Sequence, residues 1–293
     1  MLDFYTPTLE DASWVAEITE NCGQIGCDIS FATTYLWRNE YDIRICKYKD
    51  TFFKAYFDSD EQVGYSFPIG KMSPKEALEV LMNDAKERGQ KALIGMMNKT
   101  NAEILSHLYP DKFEFTEERE SADYIYSREN LANLAGKKFH AKRNHISKFK
   151  RNNEDYCYKA IDSTNIEDAY FVAHKWHMQH MQNDSDKSEL LAIREALDNF
   201  SALSLLGGVL YVNSRPVAMT IGSKINSFVC DVNFEKAVDV DGAYAVINNE
   251  FAKAQEQFLQ FNREEDLGIE GLRKSKLSYN PDKILMKYTA VEK

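Results

Sequence analysis

Hydrophobic residues are spaced with two different periods along residues 1–127. Apolar residues recur every three or four positions after Thr8, and again after Ser73-Pro74, where a serine cap and a proline mark a helix start. Between these helices the chain is β-branched and aromatic with polar turns, which is typical of an antiparallel meander. The pattern predicts a helix at residues 9–22, three strands at 42–50, 51–58 and 62–70, and a helix at 73–89. A strand at 91–97, a helix at 99–110 and two extended pieces within 112–127 follow.

Residues 128–293 predict nearly the same order of elements. A strand and two helices precede three strands joined by tight turns at Asn213-Ser214 and Asn226-Ser227, and helices then alternate with strands. These elements lie at residues 155–162, 165–181, 188–203, 207–214, 215–225, 227–234, 242–258, 259–262, 271–279 and 284–290. Because the order is repeated, we expect a structural duplication with an N-terminal domain at residues 1–127 and a C-terminal domain at residues 128–293.

Composition limits the class of protein. The chain has 293 residues with 44% hydrophobic and 28% charged residues, as globular proteins do, and no apolar run approaches the roughly 20 residues that cross a bilayer. The N-terminus has no signal-peptide pattern, so we expect a cytoplasmic protein. Five cysteines without a Cys-x-x-Cys pair indicate neither a disulfide framework nor a zinc site. The net charge of -10 argues against indiscriminate coating of nucleic acid.

Three segments of the C-terminal half carry a family resemblance: "GKKFHAKRNHISKFKRN", "GGVLYVNSRPVAMTIGSKI" and "NREEDLGIEGLRKSKLSYNP". They resemble a bacterial family related to the C-terminal catalytic domain of phosphatidylglycerol lysyltransferase. The order of elements is similar to the GNAT acyltransferase fold, and two such units in tandem resemble the Fem-type aminoacyltransferases. The resemblance implies an α+β protein of two tandem GNAT-like domains, with the active cleft in the C-terminal one.

The resemblance also implies a reaction. The lysyltransferases move an aminoacyl group from tRNA to a lipid headgroup, and GNAT enzymes move acyl groups from coenzyme A to amines. We therefore expect an acyl or aminoacyl transferase with aminoacyl-tRNA or acyl-coenzyme A as donor and an amine or hydroxyl acceptor. The sequence has no counterpart of the large transmembrane domain that usually accompanies lipid lysylation, so a soluble acceptor is expected beside the lipid headgroup.

The loop that precedes the helix at 242–258 argues against the usual coenzyme A site. Coenzyme-A-dependent GNAT proteins place a glycine-rich loop there, whose N–H groups bind pyrophosphate. This chain offers Asp239, Asp241 and a single glycine, Gly242, and carboxylates repel phosphates. The alternative is that Gly242 is a plain turn before a helix.

A basic segment at residues 136–151 is a candidate binding surface for tRNA phosphates. Phe139, Ile146 and Phe149 are spaced as an apolar helical stripe, which leaves the lysines and arginines on the wet face. The alternative is an ordinary amphipathic linker helix. A basic pair also occurs here in the lysyltransferase-like and Fem-type proteins, so the resemblance identifies Lys142 and Arg143 as substrate-binding residues.

Acidic residues at two places are candidates for binding the acceptor and removing its proton. Asp231, Asn233 and Glu235 share one side of a strand if the period of two holds, although they also fit a solvated strand face. Asp266 follows the strand at 259–262, and we interpret residues 261–281 as an acidic pocket that faces a basic helix. A salt-bridge network that holds the sheet closed is the alternative.

The predicted site residues are therefore as follows. The catalytic candidates are Asp231, Glu235 and Asp266, and the substrate-binding candidates are Lys142, Arg143, Lys236, Asn262, Arg263, Glu265, Arg273 and Lys276. Direct attack by the acceptor needs only positioning and a proton acceptor, so no nucleophilic Ser or Cys is required.

Two further expectations complete the interpretation. His174, His177 and His180 drift around a helix and have no carboxylate or cysteine in register, so no metal site is predicted. The alternatives to the favoured function are an acetyl-coenzyme-A-dependent N-acetyltransferase and a non-catalytic module that binds a small ligand on the same fold. Neither the acceptor nor the oligomeric state follows from the sequence.

Overall fold

The computed structural model describes residues 1–59, 61–180 and 184–293. Met181, the predicted end of one helix, lies outside them. The chain forms two compact units that interleave along the sequence. Unit 1 contains residues 1–123, 264–270 and 284–293, and unit 2 contains residues 124–263 and 271–283. The domain boundary between residues 127 and 128 stays a prediction.

Unit 1 is a mixed sheet with helices packed on it. β1, β2 and β3 form the predicted antiparallel meander, β5 lies parallel to β3, and β12 is antiparallel to β5. Its strands are β1 (Ile43–Tyr48), β2 (Thr51–Asp58), β3 (Glu61–Ser66), β4 (Ile69–Gly70), β5 (Leu93–Met97) and most of β12 (Lys283–Glu292). Its helices include α1 (Ala12–Thr19), α2 (Phe31–Leu36), α3 (Pro74–Glu87) and α4 (Lys99–Leu108).

Helix α3 illustrates how the sequence determines these elements. The Ser73 hydroxyl accepts a hydrogen bond from the Glu76 N–H, and the Glu76 carboxylate accepts one from the Ser73 N–H, which is a complete capping box. Leu78, Leu81 and Ala85 lie on one face of the helix and are buried in the core of the unit. The predicted helix start is confirmed.

Strand β6 (Phe113–Ser127) differs from the prediction of two extended pieces, because it is continuous. The charged first part is exposed while residues 122–126 are buried. Backbone hydrogen bonds of a strand do not require apolar side chains, so a change in burial along the sequence does not have to interrupt the strand. Helix α5 (Arg128–Asn133), which the pattern did not predict, follows directly and is capped by the Ser127 side chain.

Unit 2 repeats the arrangement. β7, β8, β9 and β10 are antiparallel neighbours, β11 is parallel to β10, and the end of β6 is antiparallel to β11. The strands are β7 (Tyr156–Ala160), β8 (Leu206–Val212), β9 (Arg215–Asn226), β10 (Val229–Ala237) and β11 (Gln260–Asn262). The helices after α5 are α6 (His140–Asn152), α7 (Ile166–His180), α8 (Asp184–Asp198), α9 (Ala243–Ala254) and α10 (Glu270–Leu277).

Each unit therefore contains one parallel strand pair that is connected through a helix. In unit 2 this pair is β10 and β11, joined by α9, and only Val229 to Asp231 of β10 pair with β11. β11 ends at Asn262, whereas β10 continues for six more residues. The side chains beyond the paired part thus occupy the place where the two strands stop bonding to each other.

Candidate active site

A buried ion pair lies just beyond the paired part of β10 and β11. Arg263 Nη2 is 2.9 Å from Glu235 Oε1, and each side chain is only 11% exposed. Asn248 of α9 donates from Nδ2 to Glu235 Oε2 at 3.2 Å. Glu235 belongs to β10, Asn248 to α9, and Arg263 directly follows β11, so the connection between the parallel strands assembles this cluster.

A β-bulge separates Glu235 from Asp231. The register between β9 and β10 shifts between Asp231 and Phe234, so one extra residue of β10 is inserted there. Such a shift moves the following side chains to the other face of the sheet. Asp231 and Asn233 remain neighbours, with 3.1 Å between Asn233 Nδ2 and Asp231 Oδ2. The expectation that Glu235 shares their side was wrong, because a period of two holds only in an uninterrupted strand.

Aromatic rings and a lysine surround Arg263. Its guanidinium carbon is 4.9 Å from the ring centre of Tyr279 and 5.7 Å from that of Tyr126. Lys276 Nζ donates to the Arg263 carbonyl at 2.5 Å, and the Tyr126 hydroxyl donates to the Lys276 carbonyl at 2.8 Å. Burial raises the pKa of Tyr279 to about 12, so its hydroxyl stays protonated at neutral pH.

Lys142 extends from α6 to the same cluster. Its ammonium lies 3.8 Å from the ring centre of Tyr279. Burial and the nearby Arg263 charge lower the pKa of Lys142 to about 8, although Glu235 partly opposes this shift. The structure thus brings together four of the predicted residues, namely Lys142, Glu235, Arg263 and Lys276.

The other predicted residues of unit 2 have their own contacts. Arg143 donates to the carbonyls of Leu134 and Gly136, so one of its nitrogens holds the turn after α5. Lys236 is 2.8 Å from both oxygens of Glu189 and lies 3.9 Å from the ring centre of Trp176. Asn262 is fully buried at the end of β11, and Arg273 lies half-buried on α10.

Asp266 and Glu265 belong to unit 1. Asp266 is fully buried, accepts from the Gly268 N–H at 3.0 Å and is 3.2 Å from Arg119. Glu265 accepts a weak bond from the Cys27 thiol at 3.8 Å. For Asp266, these contacts fit the salt-bridge alternative better than a role in proton removal, and its catalytic role stays a prediction.

Two lysines of α6 are paired with carboxylates within unit 2. The predicted apolar stripe is confirmed, since Phe139, Ile146 and Phe149 are buried in one core. On the wet face, Lys148 is 2.6 Å from Asp241, and Lys150 is 3.6 Å from Glu250. A tRNA phosphate at either lysine would have to compete with a carboxylate.

The start of α9 is packed against α6. Gly242 has a φ of +85° and forms the turn before the helix, as the alternative interpretation predicted. A Cβ atom at Gly242 would meet the His145 carbonyl oxygen and Phe149 Cβ, each at 3.2 Å. Because α6 lies this close, little space is left for a pyrophosphate at the helix start.

A second buried charge cluster lies in unit 1. Cys27, Asp28 and Asp123 place potential ligand atoms within 4.8 Å of one another, which would suit a metal ion by geometry alone. However, Lys287 Nζ bonds to Asp28 and lies 3.3 Å from Asp123. Burial alone would lower the pKa of Lys287, but these carboxylates outweigh it and raise that pKa well above its ordinary value. The Lys287 ammonium group therefore already supplies the positive charge that a metal ion would bring to these carboxylates.

Three residues of the cluster around Arg263 were missed in the sequence. Tyr279 and Tyr126 look like ordinary core aromatics, and Asn248 lies within an otherwise apolar helix face. An asparagine at an apolar position was the one available signal, because a buried amide requires polar partners.

Among the described residues, the structure has no helix that combines the length and the apolar character needed to span a bilayer. Curated proteins give no significant sequence match. Over residues 19–291 the sequence matches the model of a family described as phosphatidylglycerol lysyltransferase, C-terminal.

Solved structures give three informative comparisons. A conserved protein of unknown function from Bacteroides thetaiotaomicron VPI-5482 is 38% identical, with 100% of both chains covered and a TM-score of 0.94. The C-terminal domain (DUF2156) of a proposed lysylphosphatidylglycerol synthetase from Agrobacterium fabrum is 13% identical over 97% of this chain and 92% of its own, with a TM-score of 0.69. L-PGS from Bacillus licheniformis is 14% identical over 96% and 92%, with a TM-score of 0.67. At these low identities the last two show a shared fold.

Proposed function

The chain belongs to the phosphatidylglycerol lysyltransferase, C-terminal family, and we propose that unit 2 transfers an acyl or aminoacyl group to an amine or hydroxyl acceptor at Glu235 and Arg263. Family membership and the GNAT-like α+β fold support the acyltransferase class. The observation that carries the proposal is the buried Glu235–Arg263 pair at the point where parallel β10 and β11 stop bonding to each other.

The residues divide the work of a direct attack. Glu235 accepts the proton of the attacking group, since each of its oxygens keeps a lone pair beyond those used by Arg263 and Asn248. The remaining Arg263 N–H groups stabilise the negative charge that develops on the acyl oxygen. Lys276 acts as a positioning residue, because its ammonium holds the backbone of Arg263. Asp231 is not assigned to proton removal, since the bulge places it on the other sheet face.

Aminoacyl-tRNA is the proposed donor. The close packing of α6 on Gly242 disfavours binding of the coenzyme A pyrophosphate at the start of α9. Lys142, whose ammonium lies in the cluster beside the Tyr279 ring, can contact an anionic group of the donor there. The similar proteins named for lysylphosphatidylglycerol synthesis support a headgroup-like acceptor, either in a lipid or in a soluble molecule.

The direct test is a transfer assay with the full chain. Purified protein is incubated with radiolabelled lysyl-tRNA or acetyl-coenzyme A, together with vesicles that contain phosphatidylglycerol or a mixture of soluble amines. We expect label to move from the tRNA only. Transfer from acetyl-coenzyme A would replace the proposal with ordinary N-acetylation, and saturable binding without turnover of any donor would favour the non-catalytic module.

The low pKa of Lys142 predicts that donor binding depends on pH. The ammonium form, which attracts phosphates, is present below about pH 8 and is lost as the pH rises through that value. At constant ionic strength we expect affinity for deacylated tRNA to fall about threefold to tenfold between pH 7 and pH 9. The Lys142→Arg variant keeps its charge throughout this range and should show a flat profile. An equal loss of tRNA affinity in the wild-type protein and in Lys142→Arg would contradict the role of Lys142.

A further inference from the structure

Three buried polar atoms without a hydrogen-bond partner in the protein belong to residues next to Glu235. In the described part of the chain, Arg263 Nη1, Asn248 Oδ1 and Thr220 Oγ1 are buried and have no hydrogen-bond partner in the protein. Each of the three residues adjoins Glu235: Arg263 and Asn248 bond to it, and Thr220 is its cross-strand partner in β9. Buried polar atoms normally find partners, so three exceptions around one carboxylate require an explanation.

The donor and acceptor properties of these three atoms limit which ligand groups could form hydrogen bonds with them. A carboxylate only accepts hydrogen bonds, so the Asn248 Nδ2 group must face Glu235 and its Oδ1 must point elsewhere. That Oδ1 atom can only accept, whereas Arg263 Nη1 can only donate. The Thr220 hydroxyl can do either. A ligand that satisfies this set must therefore offer an N–H or O–H donor and an acceptor oxygen together.

We propose that Asn248 and Thr220 make the site selective for an amine acceptor, and thus for amide rather than ester formation. This inference rests on the proposed function and specifies its acceptor. A hydroxyl has one hydrogen, which Glu235 removes, so nothing remains to donate to Asn248 Oδ1. A primary amine has two: one passes to Glu235 and the other stays bonded to Asn248 throughout the reaction and in the amide product.

The reaction then balances as follows. The neutral amine nitrogen forms a bond to the acyl carbon, and the carbon–oxygen bond to the tRNA ribose breaks. Glu235 receives the proton that the nitrogen loses and passes it to the ribose oxygen, which leaves as a hydroxyl and restores the Glu235 carboxylate. Arg263 Nη1 donates to the acyl oxygen, which remains the amide carbonyl.

The charge of the cluster also suits a neutral amine. The cluster has two positive side chains, Arg263 and Lys142, and one negative side chain, Glu235. An ammonium ion that entered it would therefore be repelled and would tend to lose a proton. Burial and the charge of Arg263 together lower the pKa of Lys142, and both would act in the same direction on an amine that enters the cluster. An unprotonated amine is the nucleophilic form.

The test compares two neutral product analogues that differ only in the N–H group. N-(2-Hydroxyethyl)acetamide has the N–H, and 2-hydroxyethyl acetate has an ester oxygen in its place. In ligand-observed NMR titrations of the full chain we expect the amide to bind about tenfold more tightly, which is the usual effect of completing one buried hydrogen bond. The Thr220→Val and Asn248→Leu variants should reduce the preference, and Asn248→Leu should bring the two affinities within about twofold.

A matched control comes from unit 1. Thr34 is also buried and also has an unpartnered hydroxyl, so Thr34→Val makes the same chemical change as Thr220→Val in a different unit. Thr34→Val should keep the full amide preference, and both threonine variants should keep the wild-type melting temperature or exceed it. Equal binding of the two analogues, binding of neither, or an Asn248→Leu variant that keeps the preference would overturn the inference. If the amide analogue were preferred but no donor supported transfer, the proposed function would be contradicted and the selectivity of the site would stand.

Discussion

Replacement of Glu235 by glutamine is expected to lower the rate of the transfer step by about 10²-fold to 10⁴-fold, the usual contribution of a positioned proton acceptor. Glutamine has nearly the same size and can still accept from Arg263, so the protein should fold. It carries no charge and cannot take the proton of the acceptor. The rate is measured in a single turnover with labelled aminoacyl-tRNA, which separates the chemical step from product release.

Glu250→Gln is the control for this change. Glu250 also lies in unit 2, is partly buried at 19% exposure, and pairs with Lys150 and Lys253 rather than with Arg263. Its replacement removes one carboxylate of similar setting outside the cluster, so the rate should change by less than about threefold. If Glu235→Gln retained the wild-type rate with normal tRNA binding, Glu235 would not be the proton acceptor.

Replacement of Lys287 by methionine should cause the largest loss of stability, about 3–5 kcal/mol at pH 7, because it leaves buried carboxylates without their cation. The Lys287 side chain is 1% exposed, and its partners Asp28 and Asp123 are 11% and 0% exposed. Lys54, which donates to the Asp28 carbonyl at 2.6 Å, does not bond the carboxylates directly. Urea unfolding of the full chain measures the loss.

The pH dependence of that loss has a definite sign. In the wild-type protein, burial tends to raise the pKa of Asp28, but Lys287 and Lys54 outweigh it and lower that pKa, so this contribution to stability is present above about pH 4 and is lost as the pH falls further. Without Lys287, burial instead favours the protonated carboxyl group of Asp28. The variant should therefore lose stability as the pH rises from 5 to 7, and its deficit should be smaller at pH 5.

Lys71→Met provides the comparison for the Lys287 variant. Lys71 pairs with Asp50 at 3.0 Å, but the two side chains are 79% and 54% exposed, so water screens the pair. Its removal should leave the midpoint of urea unfolding almost unchanged. A similar small cost for Lys287→Met would mean that the buried carboxylates find other partners.

The sequence by itself determined most of the regular elements, although α5 and the continuity of β6 were not predicted. Ser73-Pro74 was sufficient to predict where α3 begins. The stripe of Phe139, Ile146 and Phe149 likewise predicted how α6 packs. These features are local, because a helix or strand presents its side chains with a fixed period wherever it lies.

The tertiary structure alone decided which polar groups meet. Arg263 and Glu235 are 28 residues apart, and Lys148 pairs with Asp241 across 93 residues. The bulge after Asp231 reversed the side on which Glu235 lies, and Asn248 entered the cluster only because α9 crosses between the parallel strands. Periodicity specifies the inward and outward faces of one element, whereas a pairing between elements depends on register and on the path of the connecting chain. Neither quantity is encoded in the spacing of residues within a single element.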